Sequence, residues 1–318
     1  MSAPPVALSL RALGLGDLLT AVPALRAIAA GHPRHRHVVA CPHALRPLVL
    51  LTGAVDEVVE AQPLRPFRHA PPDLAFNLHG RGPESHAVLR SLRPGRLIAF
   101  GCGGPPAPAW REEEHEIDRW CRLLRENGIA ADRTLLHLDC PEGDAGTPAN
   151  ATVIHPGAAS MARRWPAERF AAVARNELAA GRAVVITGSP DERQLADTVA
   201  DLAGAPPSAV AAGRTDLLRL MRIVATAGRV VCGDTGVAHL ATALRTPSVV
   251  IFGPVSPGKW GPPPRPWHEV LWAGSTGDPH ADEPDAGLLQ IEVEQVVRAL
   301  QRLPSLAEAR SFAAHGAG

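Results

Sequence analysis

The sequence predicts an α/β protein built from two doubly wound domains, each with its own parallel sheet. Short apolar, strand-like segments alternate with helical segments along most of the chain, which is typical of a parallel sheet covered by helices on both faces. The alternation is interrupted once, by the polar segment PEGDAGTPAN at 141–150, which is rich in Gly and Pro and typical of a linker. A length of 318 residues suits two domains of about 150 residues each.

The first half of the chain contains the elements of one such domain. Apolar runs predict strands at 6–10, 37–40, 57–60, 74–77 and 96–100. Helical patterns predict helices at 20–30, 44–51 and 113–127. Pro23 decides where the first helix starts, because proline is tolerated only in the first turn of a helix. The regular helix is therefore expected to begin near Thr20, with Asp17 in or near the turn before it.

After the linker the same alternation starts again. Strands are predicted at 152–155, 183–187, 229–232 and 248–252. Helices are predicted at 167–180, 191–202, 216–227, 236–244 and 291–300. A polar tail from Pro304 is expected to be mobile. A glycine-rich turn follows the first strand of each half, so the two halves predict a crevice that faces the carboxyl ends of both sheets.

Composition and charge exclude several classes of function. The 32 Lys and Arg side chains balance 32 Asp and Glu, so nothing marks the chain as a general nucleic-acid binder. Five widely spaced cysteines without a C-x-x-C pair indicate neither a disulfide framework nor a zinc site. The N-terminus lacks the charged region of a signal peptide, and no stretch of 18 apolar residues follows. We therefore expect a cytoplasmic protein with at most peripheral membrane contact, and a position at the inner face of a membrane stays open.

The turn GDTG at 233–236 is the most informative local feature. It follows a predicted strand, so it lies where a doubly wound sheet opens into its ligand crevice. Thr235 is a suitable N-cap for the next helix, which leaves the N–H groups of Gly236, Val237 and Ala238 free at the helix start. Together with the helix dipole, these donors predict a binding seat for an anion such as a diphosphate.

The segment around this turn resembles glycosyltransferase family 9, the ADP-heptose:lipopolysaccharide heptosyltransferases and their relatives. Members carry a D-[TS]-G-x-x-H turn followed by a strand and a G-P-x-x-P loop, and the sequence has DTGVAH at 234–239 and GPVSP at 253–257. The resemblance covers nearly the whole chain, to about Leu300. It implies a GT-B-like fold, in which two Rossmann-like domains face a central cleft. Residues 1–145 would then bind the acceptor, and residues 150–318 would bind the nucleotide sugar.

Asp17 is the candidate catalytic residue. Members of the family share G-D-x5-P-x-L-R here, which matches GDLLTAVPALR at 16–26, and the resemblance assigns the aspartate the role of general base. This role suits the chemistry, because a sugar hydroxyl attacks poorly unless a carboxylate accepts its proton. From the residues alone, Asp17 as a simple helix cap is the stronger interpretation, and the resemblance is what favours the base.

Two loops after the linker carry candidates for donor binding. The family pattern of an H-P-G loop followed by a basic residue and W-P matches HPGAASMARRWP at 155–166. A guanidinium can donate two hydrogen bonds to a phosphate, so Arg163 and Arg164 are expected near the diphosphate, and which of them is the main contact stays open. Gly188 lies in a turn that an ordinary βα connection explains equally well. The candidates of these loops are His155, Gly157, Ser160, Arg163, Arg164 and Gly188.

Asp234 and His239 are candidates for contacts with the donor sugar. Like charges repel, so Asp234 is expected to accept hydrogen bonds from sugar hydroxyls, or to cap the helix, rather than to contact the diphosphate. His239 follows Thr235 by four residues, so both side chains can face one side of the helix, and His239 is expected to donate to the sugar or the phosphate. With Gly236 and Val237, these residues complete the predicted donor site.

The acceptor side is predicted in the first half of the chain. Asn77, His79 and Arg81 belong to the segment NLHGRG, which follows a predicted strand, and loop 105–115 lies further along. The family often has D-L-H-G where this chain has NLHG, so an amide replaces a carboxylate. We interpret this change as a hint of a different acceptor.

The predicted function is that of a metal-independent, inverting glycosyltransferase. It would transfer a sugar such as heptose from a nucleotide-diphosphate donor such as ADP-heptose to a hydroxyl of a saccharide or glycolipid. No D-x-D motif and no His, Asp and Glu cluster with metal-ligand spacing occurs, so neither a metal nor another cofactor is expected.

Three alternatives to this function stay open. The first is the same chemistry on a small natural-product acceptor, and the second is a nucleotide-sugar-binding protein without transferase activity. The third is an NAD-dependent oxidoreductase. It is disfavoured because Leu19 stands where the third glycine of a dinucleotide fingerprint would be.

Overall fold

The computed structural model describes residues 3–102 and 107–315 of the chain. They form two compact units, Met1–Leu138 and Asp139–Gly318. Each unit contains a five-stranded sheet whose neighbouring strands are parallel, with helices between the strands along the chain. The predicted fold class, α/β with two doubly wound Rossmann-like domains, is confirmed.

The first unit reverses the direction of its strand order at the centre of the sheet. Its elements are β1 Val6–Leu10, α1 Leu15–Gly31, β2 Arg36–Cys41, α2 Arg46–Leu51, β3 Glu57–Glu60, β4 Leu74–Asn77, α3 Glu84–Ser91, β5 Arg96–Ile98 and α4 Glu116–Arg125. The strands pair in the order β3-β2-β1-β4-β5, so the order turns between β1 and β4. A ligand crevice in such a sheet lies beyond the carboxyl ends of these two strands.

The second unit has the same construction. Its elements are β6 Thr152–His155, α5 Ala167–Ala179, β7 Val184–Ile186, α6 Arg193–Ala203, α7 Leu217–Thr226, β8 Arg229–Gly233, α8 Gly236–Ala243, β9 Ser248–Ile251, α9 Pro257–Trp260, β10 His268–Leu271, α10 Ala286–Leu289, α11 Val293–Arg302 and α12 Leu306–His315. The order β10-β9-β8-β6-β7 turns between β6 and β8. The loops that follow these two strands are therefore the expected binding loops.

Each sheet is covered by its own apolar core. The core of the first unit includes Leu8 of β1 and Leu89 of α3. In the second unit Trp165 packs perpendicular to Phe170, with ring centroids 5.0 Å apart, and the Trp165 indole N–H donates to the carbonyl of Ile291 at 2.9 Å. Trp165 is therefore a core residue, and its place in the W-P pattern needs no ligand to explain it.

Helix α1 begins earlier than the sequence predicted. It starts at Leu15, and Pro23 lies in its interior. The residues from 18 to 25 are all buried, and the helix packs against α4. This burial outweighs the cost of an interior proline, about 3 kcal/mol. Asp17 consequently lies inside the first turn, where its Oδ2 accepts the Gly14 N–H at 3.3 Å.

The last strand and the last helix were not predicted. β10 is only half-buried and has the sequence HEVL, so it lacks the apolar run that marks a central strand. The expected mobile tail after Pro304 is wrong, because this segment forms α12. Burial of Ala309 and a 2.7 Å hydrogen bond from Arg310 to the carbonyl of Ala225 hold α12 in place. None of the helices described, from α1 to α12, is long and apolar enough to cross a membrane.

Candidate active site

A fully buried arginine lies at the carboxyl end of β1. Arg11 follows the strand directly, and its side chain is 0% exposed. Its guanidinium donates to the carbonyls of Asp17 and Leu78, to the Thr20 hydroxyl at 3.3 Å and to Glu116 Oε1 at 3.0 Å. Leu78 follows β4, so this one side chain joins the loops after β1 and β4, where the strand order turns.

Asp17 lies beside this arginine and keeps contact with solvent. Its Oδ1 is 3.5 Å from the Arg11 Nη2, and its side chain is 30% exposed. Burial raises the pKa of Asp17 above its ordinary value, the Arg11 guanidinium opposes this shift, and the charge of Glu116 adds to it. The first unit thus presents a reachable carboxylate that is more basic than an ordinary aspartate.

Glu116, at the start of α4, is a site residue that the sequence analysis missed. It is buried, and its Oε1 accepts hydrogen bonds from Arg11 and from the Trp120 indole N–H at 2.9 Å. Its Oε2 pairs with Arg119. The available signal was a glutamate four residues before a tryptophan on one helical face, but its partner Arg11, just after β1, is 105 residues away.

The three predicted acceptor-side residues have different environments. Asn77 is fully buried, and its amide donates to the Gly80 carbonyl and the Ser85 hydroxyl, while its Oδ1 accepts the His79 N–H. These bonds link the end of β4 to the turn that follows it and to the start of α3. Asn77 therefore shapes that turn, and we expect no direct contact between its side chain and an acceptor.

His79 and Arg81 are more accessible than Asn77. Burial and the charge of Arg11 lower the pKa of His79 to about 4, so the ring is neutral near pH 7. Its Nδ1 has no hydrogen-bond partner among the residues that the structure describes. Arg81 is exposed and forms a 3.2 Å ion pair with Glu112. Residues 105 and 106 of the predicted acceptor loop lie outside the described residues.

In the second unit, His155 ends β6 and is buried. Its Nδ1 and the Thr187 hydroxyl are 3.1 Å apart and share a hydrogen bond. Burial lowers the pKa of His155, so the imidazole is neutral near pH 7. His155 thereby joins the loops that follow β6 and β7.

Gly157 and Gly188 pack around a glutamate that the sequence analysis did not identify. Glu192 Oε2 accepts the Ser189 N–H at 2.8 Å and closes a capping box at the loop after β7. A Cβ on Gly157 would collide with this carboxylate, and a Cβ on Gly188 would lie 3.1 Å from the Glu192 Cβ. Both glycines therefore allow the loops after β6 and β7 to pack closely against Glu192.

Arg163 and Asp234 form an ion pair across the switch point between β6 and β8. The Arg163 Nη2 is 2.7 Å from Asp234 Oδ2 and also donates to the Asp234 carbonyl. The Asp234 side chain is 6% exposed and that of Arg163 is 27% exposed. The Arg163 Nε is buried without a hydrogen-bond partner in the described part of the chain. Arg163 therefore lies beside the GDTG turn, and its Nε–H has a hydrogen bond still to donate.

Arg164 and Ser160 are engaged with neighbouring loops. The Arg164 Nε donates to the Ala158 carbonyl at 3.0 Å, which folds this side chain back onto the H-P-G loop. The Ser160 hydroxyl donates to the Pro279 carbonyl at 2.5 Å. Of the two arginines, Arg163 is the one that contacts the GDTG turn.

The start of α8 offers two backbone donors rather than the predicted three. Thr235 is the N-cap residue, although its side chain makes no capping hydrogen bond within the described chain. The Ala238 N–H donates to the Thr235 carbonyl at 3.1 Å, because the first turn tightens. No carbonyl of the helix lies a full turn before Gly236 or Val237, so the N–H groups of these two residues have no acceptor within the helix. Their N–H groups and the helix dipole remain for an anion.

His239 lies one turn further along α8 and is buried. Its ring meets that of Trp260 edge to face, with centroids 5.9 Å apart. Trp260 belongs to α9, the helix that follows β9, so α8 and α9 are in contact at this edge of the sheet. Over residues 3–102 and 107–315, no group of three or more His, Cys, Asp or Glu side chains could hold a metal ion.

The chain is similar to known proteins in sequence and in fold. The family model described as glycosyltransferase family 9 (heptosyltransferase) matches residues 110–283, more than half of the chain. Lipopolysaccharide heptosyltransferase 2 of Escherichia coli K12 is 25% identical over 288 residues, which cover 76% of this chain and 81% of that protein.

Solved structures share the fold over nearly the full length. A glycosyl transferase family 9 protein from Veillonella parvula has a TM-score of 0.77 at 20% identity, covering 97% of this chain and 99% of its own. The ADP-heptose lps heptosyltransferase II of E. coli has a TM-score of 0.73 at 19% identity, covering 96% and 99%. The resemblance drawn from the sequence motifs is confirmed: the chain belongs to glycosyltransferase family 9 and is a glycosyltransferase of the heptosyltransferase type.

Proposed function

We propose that this enzyme is a metal-independent, inverting transferase that uses a nucleotide-diphosphate sugar, with ADP-heptose as the donor. The acceptor is a hydroxyl of a saccharide or glycolipid. One observation carries the proposal: each sheet has chemically complementary groups at its switch point. The first unit offers a reachable basic carboxylate, and the second offers an arginine and free N–H groups.

The donor diphosphate is proposed to bind in the second unit, in the part that the sequence predicted as the nucleotide-sugar domain, residues 150–318. The N–H groups of Gly236 and Val237 and the dipole of α8 favour an anion at the helix start. Arg163 lies beside this turn through its pair with Asp234, and it supplies a positive charge. As the sugar departs, charge grows on the diphosphate, and fixed donors stabilise that charge without rearranging.

The chemical step is proposed to begin at Asp17. Its carboxylate accepts the proton of the acceptor hydroxyl as the hydroxyl oxygen attacks the anomeric carbon. The bond from that carbon to the diphosphate oxygen breaks, and the nucleoside diphosphate leaves with the electron pair. Because attack and departure occur on opposite faces, the anomeric configuration inverts. Asp17 must release its proton before the next turnover.

The acceptor is proposed to bind in the first unit, next to the turn after β4, which lies in the acceptor domain predicted at residues 1–145. His79 is neutral and partly exposed, so it can exchange hydrogen bonds with sugar hydroxyls. The amide of Asn77 already donates to the Gly80 carbonyl and to the Ser85 hydroxyl. The asparagine in place of the common aspartate is therefore no argument for another acceptor class. This removes the main reason to prefer a small natural product.

A nucleotide panel tests the donor assignment. Thermal unfolding is measured with ADP, GDP, UDP, dTDP and NAD, each with and without EDTA. ADP is expected to raise the midpoint of thermal unfolding most, because it is the nucleotide of the proposed donor. A ligand at 100 times its Kd stabilises the fold by about 2.7 kcal/mol. EDTA should leave both the shift and the transfer rate unchanged. A preference for NAD would overturn the donor site, and loss of transfer with EDTA would overturn metal independence.

A further inference from the structure

The guanidinium of Arg11 contacts two carboxylates at once. It is 3.0 Å from Glu116 Oε1 and 3.5 Å from Asp17 Oδ1. Glu116 is in turn fixed by the indole N–H of Trp120 and by Arg119. A single buried cation is thus shared between the carboxylate that reaches solvent and one that does not.

We propose that Arg11 and Glu116 are positioning residues for Asp17, a pair that orients its carboxylate and sets how readily it accepts a proton. The inference rests on the proposed function, in which Asp17 is the general base. Neither residue contacts the substrate in this account, and both act through Asp17.

The orienting part follows from the backbone contacts. The Arg11 Nε donates to the Asp17 carbonyl at 2.9 Å, and the Thr20 hydroxyl donates to the same carbonyl at 2.8 Å. On the side chain, Oδ2 accepts the Gly14 N–H and Oδ1 faces Arg11. These contacts hold both ends of Asp17, so the carboxylate is preorganised before the acceptor arrives.

The charge-setting part follows from the groups around Asp17. Arg11 faces it from the loop after β1, and Glu116 faces it from α4. His79, after β4, is neutral, and Arg119 is engaged with Glu116. An aspartate paired with an unshared arginine becomes a weak base, because the cation favours its ionised form. The second carboxylate draws on the same cation, so Asp17 keeps enough basicity to take a proton from a hydroxyl.

Two substitutions should shift the titration of Asp17 in opposite directions. Arg11→Met removes the cation, so the Asp17 pKa rises and the acidic limb of kcat/KM moves up by about 1–2 pH units. Glu116→Gln removes the neighbouring negative charge while keeping the side-chain shape. The Asp17 pKa then falls, and the same limb moves down by about one unit. A purely structural role would not produce shifts of opposite sign.

The experiment combines pH profiles of transfer with carbon-13 NMR titration of the Asp17 carboxyl, assigned with Asp17→Asn. Arg36→Gln is the control, because the ion pair of Arg36 with Glu57 is exposed and lies at the start of β2. This substitution should shift neither the pH profile of transfer nor the NMR titration of Asp17. If Arg11→Met fails to fold, Glu116→Gln decides alone. A folded Glu116→Gln protein with an unchanged Asp17 titration would overturn the inference. Opposite NMR shifts that the transfer profile does not follow would instead overturn Asp17 as the base.

Discussion

Replacing Arg163 with Met should impair both the stability of the second unit and its affinity for ADP. Arg163 is the partner of Asp234, whose side chain is 6% exposed, and the pair is 2.7 Å long. Arg163 also contacts the GDTG turn, next to the proposed diphosphate site. Methionine keeps most of the aliphatic stem and removes the charge, so the change isolates the guanidinium.

The size of the stability loss follows from the burial of the pair. Removing one partner of a buried ion pair costs about 3–5 kcal/mol, because the other charge is left uncompensated. Arg163 is 27% exposed, so water reaches this pair and the loss should be about 2–3 kcal/mol. A hydrogen bond to a charged group contributes about 1.5–3 kcal/mol, so ADP affinity should fall about 10- to 150-fold.

Arg164→Met is the matched control. Arg164 neighbours Arg163 in the sequence, but it donates to the Ala158 carbonyl and contacts the Met161 sulfur. Losing such contacts costs about 1 kcal/mol, with a small effect on ADP binding. Urea denaturation and calorimetric titration with ADP measure the two quantities for both variants. An Arg163→Met protein that binds ADP as well as the Arg164→Met protein would refute the assignment of Arg163.

Two further substitutions test the packing behind the site. Gly157→Ala should push away the Glu192 carboxylate and break its hydrogen bond to the Ser189 N–H, which lowers the free energy of unfolding in urea by about 1–2 kcal/mol. In a Glu192→Ala background the same change should be nearly neutral. An equal loss in both backgrounds would contradict the packing of Gly157 against Glu192. Burial would raise the pKa of Glu177, but hydrogen bonds from Arg182 and Thr152 outweigh burial and lower that pKa. The ionised Glu177 therefore stabilises the fold at pH values above the ordinary glutamate pKa, and this stabilisation is lost as the pH falls through the lowered pKa. Glu177→Gln should therefore lose about 2 kcal/mol at pH 7, and the difference from the wild type should shrink below about pH 4; a constant difference would contradict the assignment.

Local patterns were sufficient for most elements of the fold. The buried strands β6, β8 and β9 are short apolar runs, and the linker-like segment stands out by composition. The start of α1 was not predictable, because the tolerance for Pro23 comes from burial around the helix and not from the local sequence. β10 was missed for a related reason: an edge strand that is half-buried carries little apolar signal.

Candidate residues were recognised individually, but their pairing was not. Arg163 and Asp234 were expected to serve different parts of the donor, yet they form one ion pair over a separation of 71 residues. The link from Arg11 to Glu116 spans 105 residues and depends on how α4 packs against α1. Asn77, which ends β4, was interpreted as a contact residue from its motif, although its side chain is fully buried. Long-range packing decides the two ion-pair cases, and single-sequence patterns do not contain it.

The role of Asp17 as general base is tested most directly by comparing donor binding with sugar transfer in Asp17→Asn. Asp132→Asn, which changes an exposed carboxylate of the same unit, is the control. Asp17→Asn should bind ADP-heptose within about twofold of the wild type, while transfer falls by about 10²–10⁴-fold. Asp132→Asn should keep both. Transfer by Asp17→Asn within tenfold of the wild-type rate would contradict the central claim that this carboxylate takes the acceptor proton.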